Sequence, residues 1–277
     1  MPLPALVLML CMASLSAIWN ALIKGADNKL YMTILLTAMA GLAGLTALPF
    51  LGRPAPASWP FIAASAGCSV VYYFLVAEAY RLTDLSAAHP LMRGTAPMLV
   101  ALASRVALGD HLSPAAWLGI GLICCGILGL AGSARGRSAK GTLLALANAG
   151  VIAVYTLIDG AGVRRSGAAV AYGMWVYILT ALPMVAWALF RDPGGIVRYT
   201  ARHGRVGALG GVLGVSVYAT TLWAMTLAPV AVVAALRETS ILFAVAISAL
   251  VLKERVGPRR AVLACAIAGG AMVLRLA

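Results

Sequence analysis

The sequence predicts an all-α integral membrane protein with ten transmembrane helices, arranged as two inverted five-helix repeats around a central cavity. Three observations lead to this fold class. First, the 277 residues are 62% apolar and only 10% charged, whereas a soluble domain has about 25% charged residues. Second, the apolar residues form blocks of roughly 20, the length that crosses about 30 Å of hydrocarbon. Third, the chain repeats itself when shifted by 144 residues.

Turn residues and charges between the apolar blocks mark the ten helices in order. The connections near Thr83 and Pro229 are very short, which predicts two tight antiparallel hairpins. The first block lacks a basic n-region and a small-residue cleavage site, so we interpret it as a spanning helix and not as a signal peptide. The predicted helices are 3–23, 30–51, 58–80, 84–107, 113–132, 141–159, 167–190, 206–227, 229–252 and 259–276.

The internal repeat relates the two halves of the chain. The shift that places Arg93 on Arg237 also places 108–114 on 252–258 without a gap, acidic on acidic and proline on proline. Because each repeat has an odd number of spans, the halves cross the membrane in opposite senses, as in secondary transporters with a substrate site near the midplane. We predict a first repeat over 1–133, a basic linker over 134–140 and a second repeat over 141–277.

The charge distribution indicates the partners. The formal net charge is +13, from 21 Lys and Arg against 8 Asp and Glu. The basic residues lie singly or in small groups between apolar blocks, which favours contact with the headgroups of a lipid bilayer and not with nucleic acid. The five cysteines lie within apolar blocks and form no CxxC pair. The sequence therefore predicts no metal site, no disulfide framework and no cofactor.

The stretch 97–110 and the glycine-rich helix 119–132 resemble the EamA-type drug/metabolite transporter superfamily, as do 252–254 and Gly269-Gly270. The resemblance covers essentially the whole chain and implies a multi-pass transporter, which we expect in a bacterial inner (plasma) membrane. It also suggests export. Two positions depart from the family pattern: Asp110 stands where Glu is usual, and Ile241 matches Pro97 of the first half. The second departure makes the halves mechanically unequal.

Charged residues inside the spans are the first candidates for a substrate site, because each is costly in a membrane unless paired or hydrated. Arg93 and Arg237 lie near the middle of helices 4 and 9, on opposite sides of the midplane. We expect both to flank the central cavity, since a guanidinium presents a rigid fork of donors to an anionic group. They either hold that group jointly or divide the work between the two access states. The alternative is that either arginine pairs with Glu238 or Glu78. In a regular helix, Arg237 and Glu238 would point about 100° apart.

Three other ionisable residues are candidates for a proton or counter-ion site. Glu238 is a carboxylate in the middle of helix 9. His89 lies one turn before Arg93 and is either a protonation switch or a neutral histidine bonded to helix 3. Glu78 lies near the end of helix 3, where a gate or rim position is expected. We interpret Lys24 and Asp159 as interface residues at matching helix ends.

Aromatic and proline residues complete the predicted site. Trp19, Asn20 and Tyr155 lie too close to the middle of helices 1 and 6 for an interfacial belt, so a cavity wall is favoured. Pro90 and Pro97 bracket Arg93 and predict either a hinge or a static bend. Further aromatic residues on helices 3, 7 and 8 belong to the same candidate wall: Tyr72, Tyr73, Trp175, Tyr177, Tyr218 and Trp223.

These features favour a secondary transporter of a small polar metabolite with an anionic group, such as an amino acid or organic acid, working by alternating access. One alternative is an exporter of hydrophobic or quaternary cations that uses Glu238 and Glu78, and another is a non-transporting scaffold. Enzyme motifs such as GxSxG, HExxH and phosphate-binding loops are absent from the sequence. The glycine-rich helices 5 and 10 are compatible with packing between the halves or with a homodimer.

Two indications of membrane orientation disagree. The connections between helices 1–2, 3–4, 5–6, 7–8 and 9–10 carry 14 basic residues, and the opposite side carries 5. The positive-inside rule therefore places both termini outside. The family resemblance implies that both termini are cytoplasmic, so either orientation stays open.

Overall fold

The structure is a computed structural model that describes residues 3–83, 85–131, 138–250 and 257–276. These residues form eleven α-helices, with two short 3-10 turns and no strands. The helices are α1 (Leu3–Lys24), α2 (Lys29–Ala47), α3 (Trp59–Leu82), α4 (Leu85–Leu108), α5 (Pro114–Ala131), α6 (Ala139–Ser166), α7 (Ala169–Arg191), α8 (Pro193–Met225), α9 (Val230–Arg237), α10 (Ser240–Leu250) and α11 (Pro258–Leu276).

The all-helical membrane fold predicted from the sequence is confirmed. Of the ten predicted spans, the span predicted over 229–252 is divided into two helices, α9 and α10. Each of the others corresponds to one helix. Within the described residues, six helical segments are long and apolar enough to cross a membrane. Shorter apolar helices lie at Val7–Trp19 and Pro114–Leu130. Helices suit this environment because their backbone hydrogen bonds are satisfied within the segment.

The predicted break from Arg191 to Arg205 is wrong, because α8 begins at Pro193 and runs for 33 residues. Asp192 caps the helix by accepting the N–H of Gly195 at 2.8 Å, and proline suits the first helical position because its missing N–H needs no partner there. The helix is about 50 Å long. Its exposed Arg198, Arg202 and Arg205 therefore extend beyond the hydrocarbon on one side.

The predicted end of helix 6 at 159 is also wrong. The helix continues through Arg164 and Arg165 to Ser166 and ends at Gly167. Gly167 has φ +65, a left-handed conformation that glycine adopts without steric cost. Asp159 consequently lies two turns inside the helix and not at its end.

The packing of the helices repeats between the halves. Helices α1, α2, α3 and α5 of the first half correspond to α6, α7, α8 and α11 of the second half, and α4 corresponds to α9 and α10 together. The contact of α3 with α6 is therefore matched by that of α8 with α1, and the contact of α2 with α8 is matched by that of α7 with α3. α4 likewise contacts α6 as α9 and α10 contact α1. Two of the largest contacts, α2 with α7 and α5 with α11, each join a helix to its own counterpart. This exchange pattern is what a two-fold relation between inverted repeats produces.

The glycine-rich helices α5 and α11 pack closely against each other. A Cβ added at Gly119 would lie 2.9 Å from the carbonyl oxygen of Gly270 and 2.7 Å from Cγ of Leu274. Such a distance is shorter than a non-bonded carbon–oxygen contact allows, so only glycine permits this approach. These glycines therefore serve contact between the two halves.

Candidate functional site

A cavity of about 100 Å³ lies between the two halves, enough for several water molecules. Helices α1, α3 and α4 of the first half and α6, α7, α8 and α9 of the second half form its wall. The lining combines two guanidinium groups, an indole and several hydroxyl groups. It consists of Ser16, Trp19, Ser69, Tyr72, Tyr73, Arg93, Tyr155, Val176, Tyr177, Thr180, Gly214, Val217, Tyr218, Thr221 and Arg237.

Three charged side chains meet at the cavity wall. Oε1 of Glu238 lies 3.0 Å from Nη1 of Arg93 and 3.3 Å from Nε of Arg237. The side chain of Glu238 is 1% exposed, and those of Arg93 and Arg237 are 13% and 11% exposed. We call these residues the Arg–Glu cluster. One carboxylate facing two guanidinium groups leaves a net charge of +1 in a desolvated place.

The excess positive charge faces the cavity. Both arginines belong to the lining, whereas Glu238 lies behind them. Arg93 and Arg237 therefore do both things considered in the sequence analysis: they pair with an acidic residue and they line a cavity. The pairing reaches across the repeats, since Arg93 lies on α4 and Glu238 follows α9.

Arg237 and Glu238 contact each other, contrary to the expectation from a regular helix, because α9 ends at Arg237. The N–H of Glu238 donates to Ala235 at 3.1 Å, and the N–H of Thr239 donates to Leu236 at 3.1 Å. These bonds reach back three residues and not four, as in a 3-10 turn. Regular α-helical geometry therefore no longer directs Glu238, and the long Arg237 side chain reaches its carboxylate.

Aromatic rings surround the rest of the cavity. Tyr72 contacts Tyr73 and Tyr155 edge to face, with centroids 5.0 Å and 5.9 Å away. Tyr177 and Tyr218 form a similar pair at 5.4 Å. Edge-to-face packing fixes the rings while leaving hydroxyl groups free to hydrogen-bond. The wall is thus apolar over its ring faces and polar at its hydroxyl groups.

Gly214 makes room for this wall. A Cβ at this position would lie 3.1 Å from Nε1 of Trp19 and 3.3 Å from the hydroxyl of Tyr177. The absence of a side chain therefore allows two polar aromatic groups to approach α8.

The predicted site residues separate into two groups. Arg93, Arg237, Trp19 and Tyr155 line the cavity. The side chain of Asn20, like that of Lys24, lies outside the part of the structure that is described. The other predicted residues do not belong to the lining: Trp175, Trp223, Glu238, Glu78, His89, Pro90 and Pro97.

Two of these residues have other partners. Trp175 packs edge to face on Trp59, with centroids 5.0 Å apart. Glu78 lies at the exposed end of α3, where Oε1 is 2.6 Å from Nη2 of Arg81. His89, Pro90 and Pro97 all lie on α4, the helix that positions Arg93.

Sequence reasoning missed the small hydroxyl residues of the lining. Thr180 and Thr221 donate to carbonyl groups of their own helices, Val176 and Val217, at 2.7 Å and 2.8 Å. Ser16 and Ser69 also belong to the lining. Single Ser or Thr residues are common in membrane helices, so the sequence alone gives no reason to single these out.

The interpretation of Asp159 as an interface residue is wrong. Its side chain is 1% exposed, and its Oδ2 accepts a hydrogen bond from the Tyr218 hydroxyl at 2.6 Å. Its Oδ1 accepts from the Tyr172 hydroxyl at 3.3 Å. The error follows from the misplaced end of helix 6, which puts Asp159 near a membrane surface.

The connection after α4 also joins the two halves. Oδ1 of Asp110 lies 2.9 Å from Nη1 of Arg164, and its Oδ2 accepts the N–H of Val230 at 3.0 Å. Arg164 in turn donates to the carbonyl groups of Met225 and Ala228 at 3.0 Å and 3.2 Å. The first half is thereby fastened to the connection between α8 and α9.

Comparison with known proteins decides the family. The EamA-like transporter family matches the chain twice, over residues 3–132 and 139–276. The chain belongs to the EamA-like transporter family. The resemblance noted in the sequence is thereby confirmed, and an EamA-family protein is a membrane transporter of small molecules, not an enzyme. A search of curated proteins gave no match.

Solved structures share the fold. Among 29 matching chains, one described only as "Crystal structure of protein" superimposes with a TM-score of 0.77. The alignment covers 98% of this chain and 95% of that chain, at 20% sequence identity. This likeness supports the architecture of the EamA-family chain and carries no information about its substrate.

Proposed function

We propose that the protein is a secondary carrier that exports a small polar metabolite with an anionic group, such as an amino acid or organic acid, by alternating access. The observation that carries this proposal is the net charge of the Arg–Glu cluster at the cavity. A buried excess cation is unfavourable without a partner. An anionic substrate group supplies that partner when it enters between Arg93 and Arg237.

The shape and polarity of the cavity support the same substrate class. Its volume of about 100 Å³ suits a small solute. Hydroxyl groups of the wall can donate to or accept from polar substituents. The tyrosine and tryptophan rings provide apolar contact for a carbon skeleton. A charged end and a mixed wall together describe an amino acid or a small organic acid.

The geometry gives less support to a cation exporter. That alternative needs a carboxylate with access to the cavity. Glu238 is already held by two guanidinium groups, and Glu78 pairs with Arg81 at the end of α3. Among the described residues that line the cavity there is no Asp or Glu.

Movement of the carrier is assigned to α4 and the divided ninth span. α4 contains Pro90 and Pro97 on either side of Arg93, and each proline removes a backbone hydrogen bond. The ninth span is interrupted directly after Arg237. Each cavity arginine thus lies next to a point where a helix can change direction. We place the protein in a bacterial inner membrane, with orientation to be read from reporter fusions at the C-terminus.

A single chain is sufficient for this mechanism. Both halves contribute to one cavity, and the glycine faces of α5 and α11 are used against each other. A homodimer adds nothing that the described cavity requires.

Counterflow in proteoliposomes tests the proposed function. Purified protein is reconstituted with one unlabelled compound inside, and uptake of the labelled compound is followed for alanine, glutamate, succinate, phosphonoacetate and tetraethylammonium. We expect counterflow of at least one anionic or zwitterionic compound. Counterflow of tetraethylammonium alone would refute the anion preference, and no counterflow of a wider panel would refute the carrier.

Variants locate the site within the same assay. Arg93→Gln and Arg237→Gln remove one cation each, and we expect both to lose most counterflow. Arg198→Gln is the matched control, because Arg198 is an exposed arginine near the start of α8. A folded Arg237→Gln protein that transports at the full rate would show that the cluster does not bind the substrate.

A further inference from the structure

A second polar cluster lies beside the cavity, and its carboxylate takes no part in the proposed anion binding. Its centre is Asp159 of α6, which accepts from Tyr218 of α8 at 2.6 Å and from Tyr172 of α7 at 3.3 Å. Ser65 of α3 lies 3.5 Å from the Tyr218 hydroxyl. We call these four residues the Asp159 cluster. It joins three helices of the second half to one helix of the first.

Within the described residues, the Asp159 carboxylate has no counter-ion in contact. No Lys, Arg or His in the described ranges forms an ion pair with Asp159, in contrast to Glu238. Arg237 of α9 acts on it electrostatically from the cavity side. Arg164, further along α6, is engaged by Asp110.

The other helices add one thiol and apolar groups. Cys68 on α3 is close enough to Asp159 for the two groups to affect each other electrostatically. At the neighbouring Gly160, α4 and α9 contribute the apolar side chains of Leu108 and Val230. An ion in such surroundings is disfavoured by desolvation.

The hydroxyl partners suit a carboxyl group that gains and loses a proton. A hydroxyl donates to an ionised carboxylate and accepts from a protonated one by rotating its hydrogen. Both states of Asp159 can therefore be hydrogen-bonded without movement of heavy atoms. The guanidinium groups around Glu238 can only donate. A proton on Glu238 would leave two buried cations with no anion, so Asp159 is the better proton acceptor of the two.

A short route connects Asp159 to the cavity. Tyr218 belongs to the cavity lining, and its hydroxyl is the group that contacts Oδ2 of Asp159. A hydronium ion in the cavity can give a proton to the Tyr218 oxygen while the original Tyr218 proton passes to Oδ2. One proton then leaves cavity water and arrives on Asp159, and Tyr218 ends as a neutral hydroxyl.

We propose that Asp159 is a proton-binding site, loaded from the cavity through Tyr218, and that its proton travels with the anionic substrate. This inference rests on the proposed function. The coupling follows from the shared cavity, because Arg237 and Tyr218 both line it and the Tyr218 hydroxyl contacts Asp159. A substrate anion bound to Arg237 cancels part of its field, and the proton then binds Asp159 more tightly. By linkage, the bound proton strengthens anion binding equally.

Infrared titration tests the proton site without any transport. Purified wild-type protein is titrated from neutral to acidic pH, and the C=O band of protonated carboxyl groups is recorded. We expect a titrating band that disappears in Asp159→Asn and persists in Asp27→Asn, an exposed aspartate between α1 and α2. Identical titrating bands in wild type and Asp159→Asn would overturn the proposal.

Proton movement in proteoliposomes tests the coupling. A compound that shows counterflow is added outside vesicles containing a trapped pH-sensitive dye. We expect wild-type vesicles to acidify inside as the anion enters. Asp159→Asn should retain counterflow and lose this acidification, while Tyr218→Phe should slow it.

The possible failures are distinguishable. Wild-type counterflow without acidification, or full acidification in Asp159→Asn, would overturn the proton inference and leave the carrier intact. Absence of counterflow for the whole panel would refute the carrier, and with it the coupling, while the infrared titration would still decide whether Asp159 binds a proton.

Discussion

Removal of the negative charge of Glu238 should destabilise the protein more than removal of any exposed acidic residue. Glu238→Gln keeps the shape of the side chain and leaves Arg93 and Arg237 as two buried cations without an anion. The lost contacts measure 3.0 Å and 3.3 Å, and Glu238 is 1% exposed. Breaking a buried ion pair by changing one partner costs about 3–5 kcal/mol. At about 2 °C per kcal/mol for a chain of this size, we expect the apparent Tm to fall by about 6–10 °C.

The matched control is Glu78→Gln. Glu78 also pairs with an arginine, but its side chain is 40% exposed and that of Arg81 is 69% exposed. An exposed ion pair contributes little to stability because water screens it. The assay is thermal unfolding of the purified variants in one detergent, followed by intrinsic fluorescence. Equal Tm values for the two variants would refute the reasoning from burial.

A double variant separates charge from packing. Glu238→Gln with Arg237→Gln returns the cluster to a net charge of +1. If uncompensated charge is the cause of the destabilisation, we expect the Tm of the double variant to lie above that of Glu238→Gln alone. A double variant that is less stable than Glu238→Gln alone would assign the cost to lost hydrogen bonds.

Three further predictions concern the cavity, the connections and an exposed cap. Gly214→Ala should weaken substrate binding without lowering the Tm, because its Cβ would approach Trp19 and Tyr177; Gly204→Ala, with nothing within 4 Å, should leave uptake unchanged. Arg164→Gln should lower the Tm, since it loses charge-assisted bonds to Asp110 and to two carbonyl groups. Each such bond is worth about 1.5–3 kcal/mol when buried. The loss is smaller here because the Arg164 side chain is 32% exposed. The hydrogen bond from Tyr31, and then that from the Gly195 N–H, lowers the pKa of Asp192. Its stabilisation is therefore complete above the unfolded pKa of about 3.9 and is lost as pH falls through the lower folded value. The Tm difference between wild type and Asp192→Asn should accordingly shrink below about pH 4, and a constant difference would contradict this assignment.

The helical fold was predictable because a hydrocarbon environment leaves the chain few choices. Apolar blocks of spanning length must become helices, and an odd number of spans per repeat requires inverted halves. Arg93 and Arg237 were also accessible to sequence reasoning, since charged groups deep in a membrane need a partner or water.

The two misplaced helix boundaries, at the end of α6 and the start of α8, share one physical cause, which is the treatment of basic residues as helix ends. Arg164 and Arg165 lie within α6, and Arg198 lies within α8. A long arginine side chain can remain on a helix while its charged end reaches the headgroups. Misplacing the end of helix 6 moved Asp159 to a surface and concealed the cluster around it.

The interruption of the ninth span had no local signal. Neither Gly nor Pro occurs between Arg237 and Ser240, and the turn brings Glu238 to Arg93 on another helix. The contact lies between residues 145 positions apart, which the pattern of a single helix cannot reveal. The ion pairing of the site is therefore a property of the assembled halves.

The division of the ninth span makes the two halves of the protein structurally unequal. In the first half, α4 passes Arg93 as one helix with two prolines, and the matching positions in the second half are Ala234 and Ile241. An idealised carrier with identical halves would favour its inward- and outward-open forms equally. In the proposed alternating-access cycle the two forms would bend different structures, so their free energies would differ even without substrate. The empty carrier would rest mainly in one form, and the half-saturating substrate concentration would then differ between the two sides.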